Sequence, residues 1–202
     1  MQLELLRLVA ITDDLRDGIG GLLKRAAACV RGGATMIQLR LPDEGSRTVA
    51  DAARTLVSAV AVPVVVHGRI DVALASGAAG VHLGVHDVSV ADARRISGSD
   101  FLIGRSAGTA EDLVRAEGAD YVTLGPAFPA DRARPTAALG ISEFERLTRS
   151  SSAPIVAVGG ISTATAGDAI RAGACGVALI RGILGSPDPE RAAREVRSAI
   201  GM

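Results

Sequence analysis

Short apolar runs recur along the chain, each bounded by glycine or a polar cluster. They are separated by longer stretches in which apolar residues return every three or four positions. The clearest form appears four times, as Gly33-Ala34-Thr35-Met36-Ile37-Gln38-Leu39, Gly77-Ala78-Ala79-Gly80-Val81-His82-Leu83, Gly118-Ala119-Asp120-Tyr121-Val122-Thr123-Leu124 and Gly173-Ala174-Cys175-Gly176-Val177-Ala178-Leu179. Each reads as a glycine that ends a helix, followed by a short strand. The spacing of about forty to fifty-five residues holds two strand–helix units per repeat. Four more strands fall between them, around residues 8–11, 62–67, 101–104 and 154–158, and alanine-rich stretches such as 49–57 and 109–117 carry helical periodicity. Near-continuous apolar strands alternating with helices predict a parallel sheet. Eight strands favour closure, so the expected fold is α/β, a single-domain (β/α)8 TIM barrel over residues 1–202. A dinucleotide-binding open sheet would rest on Gly18-Ile19-Gly20-Gly21, but the glycine spacing is wrong and no acidic residue ends the second strand.

Composition narrows the function classes. A chain of 202 residues, 48% hydrophobic, buries one sizeable core and is short for a one-domain barrel, which predicts short loops and no second domain. Lysine and arginine total 22, aspartate and glutamate 22, with no long block of either sign, so the electrostatic footprint of a nucleic-acid binder is missing. Tyr121, Phe101, Phe128 and Phe144 are the only aromatic residues. A ring-shaped ligand is therefore to be held by backbone, polar groups and aliphatic walls, not by stacking. Cys29 and Cys175 form no metal-spaced pair and fit buried thiols in a reducing compartment. The start has no signal-peptide pattern and no apolar run spans a bilayer, so a soluble, cytoplasmic protein with no membrane partner is expected.

In such a barrel, chemistry sits at the carboxyl ends of the strands. The seventh strand ends in Gly159-Gly160 and the eighth in Ile180-Arg181-Gly182, where backbone N–H groups unobstructed by side chains suit a phosphate. Substitution of Gly160 by leucine is expected to abolish that binding without unfolding the chain. Glycines after a strand also make plain tight turns, but two such ends in order favour the phosphate. Gln38 and Arg40 share parity, so both are expected at the barrel mouth, where a guanidinium fork matches phosphate or diphosphate. A structural ion pair of Arg40 with Asp13 or Asp14 is the competing reading. The three histidines, His67, His82 and His86, lie at or near the ends of the third and fourth strands beside Asp87. A metal site built from them is the lesser reading, because His82 sits within an apolar strand. His67 facing a ligand as acid or base is the better one.

These residues resemble the thiamine phosphate synthase and TenI superfamily. The resemblance is carried in order by Ala10-Ile11-Thr12-Asp13, Ile37-Gln38-Leu39-Arg40, Arg69-Ile70-Asp71-Val72-Ala73-Leu74, Gly80-Val81-His82-Leu83-Gly84 with Asp87, Ile103-Gly104-Arg105-Ser106, Gly125-Pro126-Ala127-Phe128-Pro129, Ala157-Val158-Gly159-Gly160-Ile161 and Gly176-Val177-Ala178-Leu179-Ile180. It implies a role in thiamine biosynthesis, in which a hydroxymethylpyrimidine diphosphate is joined to a thiazole phosphate with release of diphosphate. It further implies that Gly159, Gly160, Ile180, Arg181 and Gly182 hold the thiazole phosphate. Gln38, Arg40, Asp87 and Ser106 match positions serving the diphosphate, metal and pyrimidine; Arg40 and Ser106, together with His67, which is read from its own chemistry and is not a residue of the family pattern, are the candidate catalytic residues. Mg²⁺ is the implied cofactor, resting on Asp87 alone, and no organic cofactor is implied. A homodimer is among the assemblies left open.

The chain departs from the synthase pattern at several points. Q-x-R-E-K becomes Gln38-Leu39-Arg40-Leu41-Pro42, Asn-Asp after the third strand becomes His67-Gly68, and the Gln before the strand-four acid is Val85. The threonines and lysine after the sixth strand become Ala130-Asp131-Arg132-Ala133, and the serine ending the eighth is Arg181. His67-Gly68-Arg69-Ile70-Asp71 and Gly104-Arg105-Ser106 resemble the TenI-like branch, although that branch's catalytic histidine position is occupied by Pro126. Three readings follow from the resemblance: a synthase lacking several residues of the pattern, a TenI-like thiazole tautomerase, and a non-catalytic thiazole-phosphate-binding relative.

Overall fold

Every apolar run becomes a strand, and a helix follows each. A computed structural model describes residues 3–12, 14–129 and 138–201. A 3-10 turn (Leu3–Leu6) leads into β1 (Leu8–Ile11), α1 (Gly18–Arg31), β2 (Met36–Leu39), α2 (Ser46–Ala59), β3 (Val64–His67), α3 (Ile70–Ser76) and β4 (Gly80–Leu83). The second half continues with α4 (Val90–Ser97), β5 (Leu102–Ala107), α5 (Ala110–Arg115), β6 (Tyr121–Leu124), α6 (Ile141–Ser150), β7 (Ile155–Val158), α7 (Ala166–Arg171), β8 (Gly176–Leu179) and α8 (Pro189–Ala199). The strands are all parallel and close in chain order, with Leu8 of β1 beside Val177 of β8. The expected (β/α)8 barrel is what forms. Asp13 and the segment Ala130-Asp131-Arg132-Ala133 lie outside the described residues.

The four-fold sequence repeat is the set of even strands. Gly33, Gly77, Gly118 and Gly173 each take a positive φ, from 69° to 102°, where the chain leaves a helix and turns towards β2, β4, β6 and β8. Two apolar layers follow from the alternation of side chains along each strand. Outward residues such as Ala10, Ile37, Leu39, Val66 and Leu83 meet Leu22, Leu56, Phe144 and Leu147 of the helices. Inward residues Val9, Ile11, Met36, Val65, Val156 and Ala178 fill the barrel, which Leu6 closes at the amino end. Each enclosed Val, Ile, Leu or Met side chain contributes about 1.5–3 kcal/mol relative to exposure.

The filling is lopsided. Inward positions on β3 to β6 carry His67, His82, Ser106, Tyr121 and Thr123, so one flank of the interior is polar. Its construction depends on Gly104. A Cβ there would overlap the Tyr121 ring, and only glycine lets the phenol lie across β5 to reach His82.

Candidate active site

The carboxyl ends of β7 and β8 border a cavity of about 210 Å³ lined by residues 158–161 and 178–182. Gly159 and Gly160 turn through φ of 84° and 66°. The turn is tied by Thr165, whose Oγ1 donates to Gly160 O at 3.0 Å and accepts from Ser162 N at 2.9 Å. Both glycines are also packed against the β6–α6 connection: a Cβ on Gly159 would lie 2.6 Å from Pro126 Cα, and one on Gly160 would overlap Phe128 O. The expectation that Gly160 tolerates leucine without unfolding is therefore corrected. Gly182 is different, since its Cβ would meet the end of the Leu179 side chain at 3.1 Å and Ile161 O at an ordinary 3.8 Å. Ile180 is half-buried in the wall, and Arg181 is exposed at the rim.

A second cavity of about 460 Å³ shares Val158 and Gly159 with the first and extends past Gly125, Ser106 and Thr123 to Val85. The mouth is thus continuous from the β8 end to the β4–α4 loop. Its walls are largely backbone and aliphatic, as the scarcity of aromatic residues requires.

Below the mouth runs a ladder of polar side chains. Gln38, 2% exposed, places Nε2 3.1 Å from His67 Nδ1. The His67 ring stacks on His82 with centroids 5.7 Å apart. His82 meets the Tyr121 hydroxyl through Nδ1 at 3.1 Å, and Ser106 Oγ and Thr123 Oγ1 through Nε2 at 3.0 and 3.2 Å. Enclosure without a carboxylate partner makes the imidazolium costly. Burial, helped by the neighbouring His67 and Arg105, drives the His82 pKa down to about 3. Burial also lowers that of His67, with Arg40 acting in the same direction and Asp87 opposing. Burial, then Asp120, raises that of Tyr121. Both rings are neutral at pH 7.

Asp87 hangs over this ladder from the β4–α4 loop. Its Oδ2 accepts from Gly84 N at 2.6 Å, and Cβ atoms on Gly68 or Gly84 would each come within 3.2 Å of that oxygen. Arg105 fixes the loop from beneath. Pointing outward from β5 and 4% exposed, it donates to Val88 O at 2.7 Å and Val85 O at 3.1 Å. Arg40 sits half-buried at the end of β2, where its N–H donates to Thr12 Oγ1 and its carbonyl accepts from the same hydroxyl, both at 2.9 Å. The ion pair with Asp14 does not form, because Asp14 lies 3.2 Å from Arg25 and 3.5 Å from Arg16. Asp13, the other candidate, is outside the described residues.

The sequence-predicted residues therefore fall on one face in two groups: Gly159, Gly160, Ile180, Arg181 and Gly182 at one side, and Gln38, Arg40, His67, Asp87 and Ser106 at the other. The four-residue metal cluster of His67, His82, His86 and Asp87 is not assembled. Both His82 nitrogens are engaged by hydroxyls, and no group of three or more metal-ligating side chains occurs among the described residues. For Mg²⁺ the fit is partial but real. Asp87 Oδ1 has no hydrogen-bond partner among the described residues, and glycines 68 and 84 leave space beside it. One carboxylate suits a magnesium ion whose other ligands are substrate phosphates and water, not a cage built by the protein. Two features escaped the sequence reading. The Gln38–His67 contact depends on strand stagger, whereas the outward clamp of Arg105 was accessible from its parity opposite to Gly104 and Ser106.

Comparison with known proteins agrees with this geometry. Residues 8–183 match the family described as thiamine monophosphate synthase. The thiamine-phosphate synthase of Xanthobacter autotrophicus is 39% identical over 201 residues, 96% of this chain and 95% of its own. That of Methanoculleus marisnigri is 44% identical over 186 residues, covering 88% and 86%. The solved structure of thiamine phosphate pyrophosphorylase from Pyrococcus furiosus superposes with a TM-score of 0.80 at 30% identity, covering 98% of this chain and 96% of that one. A closed parallel barrel, a family match over residues 8–183 and near full-length kinship at 39–44% identity place this chain in the thiamine monophosphate synthase family.

Proposed function

We propose that the chain joins a hydroxymethylpyrimidine diphosphate to a thiazole phosphate. The observation that carries this reading is the arrangement at the carboxyl ends of the strands, where a cavity of glycine ends at β7 and β8 adjoins one reaching Ser106 and the β4–α4 loop, and Arg40 and Asp87 both act electrostatically on His67. In the reaction the pyrimidine methylene loses its C–O bond to the diphosphate, which departs with the bonding electrons. The thiazole nitrogen lone pair then forms the new C–N bond. Residues 159–160 and 180–182 hold the thiazole phosphate and so aim that nitrogen across the barrel. Arg40 holds the departing diphosphate, and Ser106 and the aliphatic walls orient the pyrimidine. Mg²⁺, when bound at Asp87, supplies charge neutralisation for the diphosphate oxygens. Placement in the cytoplasm is part of the same reading. It is supported by two unpaired cysteines that burial makes unreactive, with thiol pKa values pushed up to about 12 for Cys29 and about 11 for Cys175.

The test supplies both substrates and Mg²⁺ to the purified protein and follows thiamine phosphate. Product is expected, with Arg40→Ala and Asp87→Asn each lowering turnover by about 10²-fold or more, the scale of one preorganised electrostatic contact. Absence of product sinks the synthase reading. A second reading is favoured by one observation, the neutral His67 at the mouth within the TenI-like run of residues 67–71. It is metal-independent isomerisation of a thiazole carboxylate phosphate by proton transfer, and the same protein given that compound alone distinguishes it.

A further inference from the structure

The amide of Gln38 is enclosed and only half used. Its Nε2 meets His67 Nδ1 at 3.1 Å, while its Oε1 is buried with no hydrogen-bond partner. Two arrangements of this pair are chemically possible. If the amide N–H donates to a bare Nδ1, the carbonyl oxygen and the second amide proton go unpaired. If the amide oxygen instead accepts from Nδ1–H, a buried NH₂ is left with both its protons unpaired. An under-satisfied carbonyl is a milder fault than a second unpaired N–H, so the first arrangement prevails. A neutral imidazole carries one N–H, and with Nδ1 accepting, that proton is on Nε2.

The direction of Nε2 gives this a use. A Cβ built on Gly84 would lie 3.7 Å from His67 Nε2 and 3.2 Å from Asp87 Oδ2, so the nitrogen faces the space bordered by Asp87 that glycines 68 and 84 keep open. The other charged or titratable neighbours are Arg40 at the end of β2 and His82, whose ring lies against that of His67. We propose that Gln38 is a positioning residue that locks His67 in the Nε2–H tautomer, so that the ring presents a hydrogen-bond donor to an anionic oxygen of the substrate at the mouth. In the resting protein His67 is thus a hydrogen-bond donor at Nε2, not a base. The tautomer follows from the geometry alone, while its use rests on the proposed function.

Long-range proton–nitrogen correlation spectra of the ¹⁵N-labelled full chain at pH 7 test this, with His67 identified by the signals lost in His67→Asn. The expected wild-type pattern is a protonated Nε2 and a bare Nδ1. Gln38→Glu replaces the donor with an acceptor and is expected to move the proton to Nδ1. Gln38→Met removes the partner and is expected to give a mixture of tautomers, and it serves alone if the glutamate variant does not fold. A wild-type proton on Nδ1 overturns the proposal, as does retention of the pure Nε2–H form in the folded variants. In parallel, Gln38→Glu is expected to lower kcat by about 10-fold or more with the KM for thiazole phosphate retained, and an unchanged kcat overturns the donor role. If the wild type turns over neither substrate set but shows the Nε2–H form, the functional reading fails and the tautomer assignment stands.

Discussion

Glycines that look equivalent in sequence answer to different constraints. Gly160 needs its left-handed backbone and has Phe128 O where a side chain would begin, whereas Gly182 borders the β7–β8 cavity with a conventional φ and a pliable neighbour. Gly182→Leu is expected to keep the fold while its side chain fills the cavity, raising the dissociation constant of thiazole phosphate at least about tenfold, since about 1.4 kcal/mol of lost contact suffices. Gly160→Leu is expected to lower the stability itself by about 2 kcal/mol or more through overlap and strain. Calorimetric titration and thermal unfolding of the two variants check this: intact affinity in a folded Gly182→Leu protein moves the ligand elsewhere. The glycines at the ends of β7 and β8 were legible as a loop signal, yet the sequence contains nothing to say that Phe128 would pass over one of them. That depends on the path of the β6–α6 connection, a long-range property.

Elements were more legible than contacts. The strand expected at 62–67 begins at Val64 and that at 154–158 begins at Ile155, because Pro63 and Pro154 have no N–H for the ladder. Their carbonyls nonetheless extend it, accepting from Ile37 N at 3.0 Å and Val122 N at 2.9 Å. Parity along each strand put Gln38, Arg40 and His67 at the mouth, but which of them touch is set by the stagger between strands, on which a single sequence is silent. The β4–α4 loop shows how an element can be held from outside the site. Loss of the Arg105 guanidinium leaves the carbonyls of Val85 and Val88 without their donor. Arg105→Met is expected to cost about 1–3 kcal/mol and to speed amide hydrogen exchange selectively over residues 84–88. Unchanged exchange there removes Arg105 from any role in holding Asp87.

At the scale of the molecule, the polar flank of the barrel interior couples the fold to acidity. His82 has a folded-state pKa of about 3, against an ordinary 6.5, so between these values the unfolded chain binds a proton that the folded one refuses. Its contribution is intact above pH 6.5 and is lost as pH falls towards 3. The slope is at most about 1.4 kcal/mol per pH unit from this one group. Urea unfolding midpoints measured from pH 7 to pH 4.5 are expected to fall in this way, and more shallowly for a folded His82→Gln variant. Equal slopes in the two proteins would show that another group governs the acid limit. Tyr121, pressed against the same imidazole, has a further consequence. The chain has no tryptophan and one tyrosine, so fluorescence excited at wavelengths beyond phenylalanine absorption comes from a single phenol inside the barrel. An emission change on adding a ligand at the mouth would be relayed through Ser106 and His82 to one dye the chain carries by nature, and label-free optics would report the inside of the barrel with no contribution from the helices around it.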